Sequence, residues 1–345
     1  MDFSMKQNTS CTLSVIVPAY NEEIVLPIFH QRLLAALAQV PGFQASGSSE
    51  IIYINDGSSD NTGQLLNELH RNNPAVGVAH FTRNFGKEEA MSAGLLLARG
   101  EAVIMIDADL QDPPELIASM VQAWRDGAEV VNMRRRRRDG ETAFKKATAH
   151  AFYRIINQLS DVPIPEDVGD FRLLSRQAVN ALNKLPERNR FMKGLFAWVG
   201  FRQVTIEYDR DSRAAGFSKW KYWKLWNFAL DGITSFTTAP LRVATYAGLF
   251  SALGAFGYAF YFLLKTLAFG DPVKGFPTLI VVVLLVGGLQ LMATGILGEY
   301  IGRMYIESKR RPLFLMYDYQ APAFNHSETS SNTSQIAQES SQYDF

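Results

Sequence analysis

Short, mostly apolar runs, unbroken from Ala102 to Ile106, alternate with longer mixed segments through roughly the first half of the chain. Leu13 to Val17, Ile51 to Ile54, Val76 to Phe81, Ala102 to Ile106 and Glu129 to Met133 carry the apolar, β-branched composition of strands. Runs with no polar alternation belong to strands covered on both faces, as in a parallel sheet. Each of the first four gives way to a polar turn and then a helical segment. Tyr20, Asn21, Glu22 and Glu23 open a helix to about Gln39, and Ser59 or Asp60 caps one through Leu69. Arg83 to Lys87 precede one ending near Ala98, and Asp112, Pro113, Pro114 and Glu115 have the order of a helix start with Asp112 as cap. Gly169 to Leu174, Ala178 to Leu185, Met192 to Val199 and Val204 to Tyr208 read as strand, helix, helix and strand, and Ala143 to Ser160 as an amphipathic helix. Such alternation predicts an α/β fold with a mostly parallel sheet and helices on both sides.

The pattern then changes. Between Trp220 and Phe236 three tryptophans and further apolar residues are interleaved with Lys219, Lys221 and Lys224, as in a helix lying in a membrane interface. Val243 to Leu264 carries no charge, and Phe276 to Gly298 is interrupted only by Gln290, so each predicts a membrane-spanning helix. Arg303, Lys309, Arg310 and Arg311 follow the second run, against Lys265 and Lys274 between the two, which places both chain ends in the cytoplasm. Glycines at 287, 288, 295, 298 and 302 point to close helix contact and a homo-oligomer. The expected organisation is an N-terminal tail (1–12), an α/β domain (13–218), an interfacial helix (219–240), a two-helix transmembrane hairpin (241–303) and a cytoplasmic tail (304–345) disordered from about 320.

Composition narrows the function. With 34 basic and 34 acidic residues the chain is neutral, so bulk charge points to no nucleic acid. A single cysteine, Cys11, excludes an internal disulfide and a cysteine zinc cluster. No G-x-G-x-x-G follows the first strand, so a dinucleotide fingerprint is missing. Instead, acids recur where strands end: Glu22, Asp56, Asp107 and Asp109. In open α/β sheets ligands bind at that edge. Two carboxylates one residue apart can share Mg²⁺ or Mn²⁺, which commonly also takes substrate diphosphate oxygens; the competing reading is a pair of solvated loop acids. The run Arg134 to Arg138 is either a solvated loop or a patch for anionic lipid headgroups or a phosphorylated acceptor.

Seven stretches, VIVPAYNEE (15–23), INDGSSDNT (54–62), RNFGKEEA (83–90), IDADLQDPPE (106–115), GDFRL (169–173), PERNRF (186–191) and DGITSFTTAPLR (231–242), together resemble family 2 glycosyltransferases of the polyprenyl-phosphate type. The resemblance implies a GT-A nucleotide-sugar domain held at the membrane, moving one sugar with inversion from a nucleotide sugar, UDP-glucose first and GDP-mannose as alternative, to a polyprenyl phosphate. Pro18, Tyr20, Glu22 and Asp56 would take the nucleoside, with Lys87 and Asp107 also on the nucleotide. Asp107, Asp109 and Gln111 would hold Mg²⁺ or Mn²⁺, and Asp170 would lie near the reacting carbon. Arg134, Arg138, Arg190 and Lys219 would meet phosphate groups. The segment Arg190 to Trp198 lacks the Q-x-x-R-W pattern of processive relatives, which argues against polymerisation. Gly216, Phe217, Ser218, Lys219 and Trp220 stand where many relatives have Gly, Glu, Thr, Lys and Tyr. A diacylglycerol acceptor and a non-catalytic membrane scaffold are the rival readings.

Overall fold

The computed structural model describes residues 12–40, 49–136, 168–188, 190–209, 239–269 and 275–323. In chain order these form β1 (Leu13–Ala19), α1 (Leu26–Leu37), β2 (Ser49–Asn55), α2 (Thr62–Asn72), β3 (Val76–Phe81), α3 (Lys87–Leu97), β4 (Ala102–Met105), a 3₁₀ turn (Pro114–Leu116) and α4 (Ile117–Arg125). After them come β5 (Val130–Arg135), β6 (Val168–Ser175), α5 (Arg176–Asn183), α6 (Met192–Trp198), β7 (Gln203–Tyr208), α7 (Ala239–Phe269), α8 (Phe276–Ser308) and β8 (Met316–Gln320). The strands make one sheet in the order β7-β5-β6-β4-β1-β2-β3-β8. β4, β1, β2 and β3 run parallel, as does the β5–β7 pair, whereas β6 is antiparallel to both its neighbours and β8 antiparallel to β3. This is the α/β architecture with a mostly parallel sheet that the alternation predicts, and it fits the GT-A-like domain that the resemblance implies.

The apolar runs explain why this sheet forms. Successive side chains of a strand point to opposite faces. Val15 and Val17 of β1, Ile51 and Tyr53 of β2 and Ile104 of β4 pack on one side, with Phe29 and Leu33 of α1 and Met120 of α4. Ile16, Ile52, Ile54, Val103 and Met105 pack on the other, with α3, Ala178, Val179 and Leu182 of α5 and Phe196 of α6. Both sets are buried. Burial of each large side chain contributes about 2 kcal/mol. α3 can lie close across β1 because residue 94 is glycine: a Cβ there would stand 2.2 Å from Ile16 Cγ2.

Two buried polar clusters pin the sheet. At its amino-terminal edge Glu50, fully buried, accepts from Ser14 Oγ (2.6 Å), Arg99 N (2.7 Å), Arg99 Nε (3.1 Å) and Arg99 Nη2 (2.9 Å), and Gly100 N donates to Ser14 Oγ at 2.7 Å. Further along β3, Asn55 Nδ2 donates to His80 Nδ1 (2.9 Å) and His80 Nε2 donates to Asn67 Oδ1 (2.9 Å), which defines a neutral imidazole. The ring stacks on Tyr317 of β8 at 5.5 Å. Burial lowers the His80 pKa below 6.5, against the opposing pull of Asp318.

β8 is the element the sequence pattern misses. Chain that reads as the start of a polar tail instead pairs with β3, with Phe314 stacked on Phe81 at 5.0 Å and Thr82 N donating to Leu315 O at 3.0 Å. Asp112 does not cap a helix either. It is buried, takes the Tyr208 hydroxyl, and leaves the 3₁₀ turn that opens at Pro114 without a side-chain cap. Asp60 does accept the Thr62 amide at 3.0 Å at the start of α2.

α7 and α8 are 31 and 33 residues long, about 45–50 Å at 1.5 Å per residue. Phe250, Phe256, Phe260, Leu285, Leu291 and Met304 are among their exposed large side chains. Side chains at several positions lie outside the described set, and over the described residues no helix is long and apolar enough to cross a membrane. The segments expected as an amphipathic helix (143–160) and an interfacial helix (220–236) lie outside the described residues.

Glu50→Ala is expected to cost about 3 kcal/mol by stranding the Arg99 and Ser14 donors, and Glu50→Gln less, read from chemical denaturation of the purified chain; an unchanged midpoint for Glu50→Ala would refute the clamp. A histidine whose folded pKa lies below its unfolded value contributes stability that is complete above the unfolded pKa and declines as pH falls through it. Melting temperature is therefore expected to fall below about pH 6.5, more steeply in wild type than in His80→Asn. Equal slopes would remove His80 from the acid response.

Candidate active site

Three loops meet at the carboxyl ends of β1, β2 and β3, and their side chains bond one another's backbone. Asn21, in the left-handed region at φ 55, accepts Ser59 N through Oδ1 at 2.8 Å and gives its own amide to Ser58 Oγ at 3.1 Å. Glu22 N donates to Thr62 Oγ1 (2.9 Å), and Asn61 N donates to Glu23 Oε2 (3.0 Å). Tyr53 and its neighbours in β2 lead into Asn55, whose Oδ1 accepts Ser58 N at 3.0 Å. Gly57, at φ +62, lets the third loop lie on top: a Cβ there would be 2.2 Å from the Arg83 carbonyl carbon.

Asp56 ties that third loop down. Its Oδ1 accepts Phe85 N at 2.7 Å, and its Oδ2 accepts Gly86 N at 3.1 Å. Burial raises its pKa, while those two amides and Arg83 work against the rise. Arg83 lies over the Phe85 ring at 4.0 Å. Of the expected nucleoside contacts, Asp56 is thus committed to the backbone of the 83–86 turn. Tyr20 is exposed, and Pro18 and Glu22 are half-buried beside it.

The loop delivers Lys87, the first residue of α3, to the centre of the edge. Its Nζ donates to Asp107 Oδ2 at 2.7 Å and to Asp170 Oδ2 at 2.5 Å. The meeting follows from register. β4 and β6 pair antiparallel with Met105 opposite Arg172, so two residues further along, Asp107 comes to face Asp170. Burial alone would lower the Lys87 pKa, but the two carboxylates more than offset it and the ammonium is held charged. Asp107 is pushed upward by burial, eased by Lys87, and pushed up again by Asp170, Asp112 and Asp109. Asp170 goes the other way: burial opposes ionisation, yet Lys87, Lys193 and Arg172 keep it ionised well below the ordinary carboxylate range.

Past β4, the chain turns through Leu110 in the left-handed region (φ 61), its side chain buried in the core, and Asp109 Oδ1 accepts Gln111 N at 3.1 Å. Asp107 and Asp109 are both half-buried on this turn. Among the described residues no three His, Cys, Asp or Glu side chains are grouped to hold a metal. Two hard carboxylates, Asp107 and Asp109, half-buried on one turn do suit Mg²⁺ or Mn²⁺ of the kind completed by substrate and water oxygens. The donor set therefore fits a divalent ion.

The expected phosphate-binding cations are dispersed. Arg134 pairs with Glu207 on the exposed surface, and Arg136 lies 3.4 Å from Asp209. Arg190 turns into its own loop, donating to Glu187 O (3.1 Å), Leu185 O (2.9 Å) and Ser92 Oγ (3.3 Å). Arg138 and Lys219 lie outside the described residues. In their place the fold gathers residues the sequence pattern does not single out. Arg172 is buried with its guanidinium 3.8 Å from the Phe196 ring centroid, its pKa lowered to about 10 by burial against the pull of Asp170 and Glu88. Glu88 accepts Met192 N at 2.9 Å. A signal for Glu88 exists in the RNFGKEEA stretch, but an acid in a first helical turn reads equally as a partner of the helix dipole.

Comparison with known proteins adds the family. The model of Glycosyl transferase family 2 matches residues 14–182, and that of the GtrB C-terminal hairpin matches residues 239–304. The chain is 49% identical over 306 residues to an uncharacterized glycosyltransferase of Synechocystis sp., spanning 89% of this chain and 95% of that one. It is 48% identical over 304 residues to a bactoprenol glucosyl transferase of Shigella phage SfV, spanning 88% and 97%. Among solved structures, glucosyl-3-phosphoglycerate synthase of Mycobacterium tuberculosis overlaps at a TM-score of 0.42 and 20% identity, over 65% of this chain and 78% of that one.

Asp56→Ala is expected to release the 83–86 turn. Hydrogen exchange of the Phe85 and Gly86 amides should accelerate at least tenfold, equivalent to about 1.4 kcal/mol of lost protection. Unchanged exchange at those two amides would show that Asp56 is not their anchor.

Proposed function

Because the chain belongs to glycosyl transferase family 2, we propose that it transfers one glucose from UDP-glucose to a polyprenyl phosphate at the cytoplasmic face of a membrane, with inversion at the anomeric carbon. The observation that carries this reading is the 48% identity, over nearly the whole length of both chains, to a protein named bactoprenol glucosyl transferase. The nucleoside lies against the interlocked 20–23 and 56–62 loops, near Pro18, Tyr20, Glu22 and Asp56, and the donor diphosphate against Lys87, Asp107 and Asp109.

Asp107 and Asp109, with Gln111 beside them, would hold Mg²⁺ or Mn²⁺, which supplies Lewis-acid neutralisation of charge on the leaving diphosphate. The rest of the chemistry rests on the protein's own groups. A phosphate monoester has a second pKa of about 6, so the acceptor is already largely an anion at neutral pH and needs no strong base. Asp170 suits that requirement. A carboxylate kept ionised by Lys87, Lys193 and Arg172 is a poor proton acceptor and a good partner for the positive charge that builds at an anomeric carbon. Lys87, fixed between Asp107 and Asp170, orients the two acids with respect to each other.

α7 and α8 are the two membrane spans in this reading. The uncharged runs 243–264 and 276–298 lie within them, and among the described residues large side chains such as Phe256 and Leu291 are exposed. Among the described residues, no atom beyond the helix's own neighbouring backbone lies within 4 Å of a Cβ built at Gly287, Gly288, Gly295, Gly298 or Gly302, which leaves room for the matching face of a second copy.

The test uses the full chain in detergent with Mn²⁺ or Mg²⁺, UDP-glucose or GDP-mannose as donor, and undecaprenyl phosphate or diacylglycerol as acceptor. Glucose transfer to the lipid phosphate is expected, lost with chelator and restored by either ion. Preference for GDP-mannose or for diacylglycerol would overturn the donor or the acceptor, and no transfer in any arm would leave a binding protein. Asp109→Asn is expected to lower turnover more than tenfold; a smaller loss would remove Asp109 from the metal.

A further inference from the structure

α6 starts without help from its own sequence. The residue before it, Phe191, offers no side-chain cap, and the first amide, Met192 N, is taken by Glu88 Oε2 of α3 at 2.9 Å. Two more contacts join the same turns. Ser92 Oγ lies 3.8 Å from Met192 Sδ, and Arg190 Nη1 donates to Ser92 Oγ at 3.3 Å. The beginning of α6 is therefore fixed to the beginning of α3, the turn that carries Lys87. On the other side, the segment leading into α6 touches the end of α8, where Arg188 N donates to Glu307 Oε1 at 2.7 Å. Lys193, next to Met192, thus sits on a segment braced between the first turn of α3 and the end of α8.

We propose that Glu88 is a positioning residue: by holding the Met192 amide it sets the first turn of α6 so that Lys193 stands beside Asp170 and receives the phosphate of the lipid acceptor. This rests on the transfer reaction proposed above. The acceptor phosphate is anionic, and it approaches a centre rich in carboxylates. Lys87 is already shared by Asp107 and Asp170, Arg134 is drawn to Glu207, Arg190 is spent on its own loop and Arg172 lies beneath Phe196. Lys193 adds positive charge to both Asp170 and Glu88.

The protonation of Glu88 suits the same task. Burial and then Asp170 raise its pKa, opposed by the Met192 amide, Lys87 and Lys193, to about 8, and Arg172 faces it as well. A carboxyl that keeps its proton through neutral pH adds no negative charge where a phosphate must enter, and its carbonyl oxygen still accepts the amide. A glutamine reproduces that neutral form.

The experiment measures acceptor and donor KM separately for the full chain with UDP-glucose and undecaprenyl phosphate. Glu88→Ala and Lys193→Ala are each expected to raise acceptor KM at least tenfold with donor KM within twofold. The double variant should be no more than twofold worse than Lys193→Ala. Glu88→Gln should stay within threefold of wild type and lose the rise in acceptor KM that wild type shows above about pH 8. Equal rises in both KM values, multiplying effects in the double variant, or a Glu88→Gln as impaired as Glu88→Ala would overturn the proposal. If Glu88→Ala does not fold, Glu88→Gln and Lys193→Ala decide it. Absence of wild-type transfer would remove the reaction and this role together, whereas wild-type transfer with insensitive variants removes this role alone.

Discussion

Lys87 sits between Asp107 and Asp170, with its nitrogen 2.7 Å from one carboxylate and 2.5 Å from the other. Two like charges brought together at a sheet edge repel, and burial makes each more costly to keep ionised. One ammonium between them allows both to stand there, and their other neighbours set their different characters: Asp112 and Asp109 add to the burial that raises Asp107, while Lys193 and Arg172 join Lys87 in lowering Asp170. The two side chains reach Lys87 from strands that are distant in sequence and adjacent in the sheet. What the fold must secure, above all, is the register of β4 against β6 and the placement of the first turn of α3.

Apolar burial by itself does not secure the first. With both faces of β4 buried, a one-residue slip would turn Val103 and Met105 from the α3 side to the α1 side and expose neither set to water, so burial alone does not fix the register. Polar contacts near the strand finish the specification. Arg176, at the end of β6, bonds Gly100 O, and Arg176 N donates to Glu101 O at 2.7 Å. The placement of α3 follows from Asp56, which holds the two amides just before Lys87. Hence an acid at the end of β2 governs a lysine that neutralises acids at the ends of β4 and β6.

This division explains what was legible in the sequence. The parallel strands were readable because each is a continuous apolar run, and Asp107 and Asp109 were readable as acids at a strand end. β8 was not, since Met316 to Gln320 alternates tyrosines with polar residues and owes its strand conformation to the exposed edge of β3. Asp112 reads as a helix cap by local rules. Tertiary structure overrides them by burying it against Tyr208 of β7, a strand whose position next to β5 no local pattern gives. Arg190 and the start of the arginine run look like phosphate ligands when only charge is counted, and backbone carbonyls or Glu207 occupy them in the fold. Asp170 was placed by resemblance. Its pairing with Lys87 depends on an antiparallel neighbour that alternation alone would have made parallel.

The C-terminal pieces bear on how the sheet edge is tied to the helices that follow it. α8 ends with Glu307 on the Arg188 amide, and a few residues later the chain enters β8, where Tyr317 lies on His80 and His80 bonds Asn55. Asn55 precedes Asp56 and shapes its turn through Ser58. The helical hairpin is consequently joined to the site at two places, once through the segment that opens α6 and once through the strand that supports the Asn55–Asp56 turn. The end of α8 is thus bonded both to the segment that carries Lys193 and, through β8 and His80, to the turn that carries Asp56, so the two halves of the sheet edge share one support.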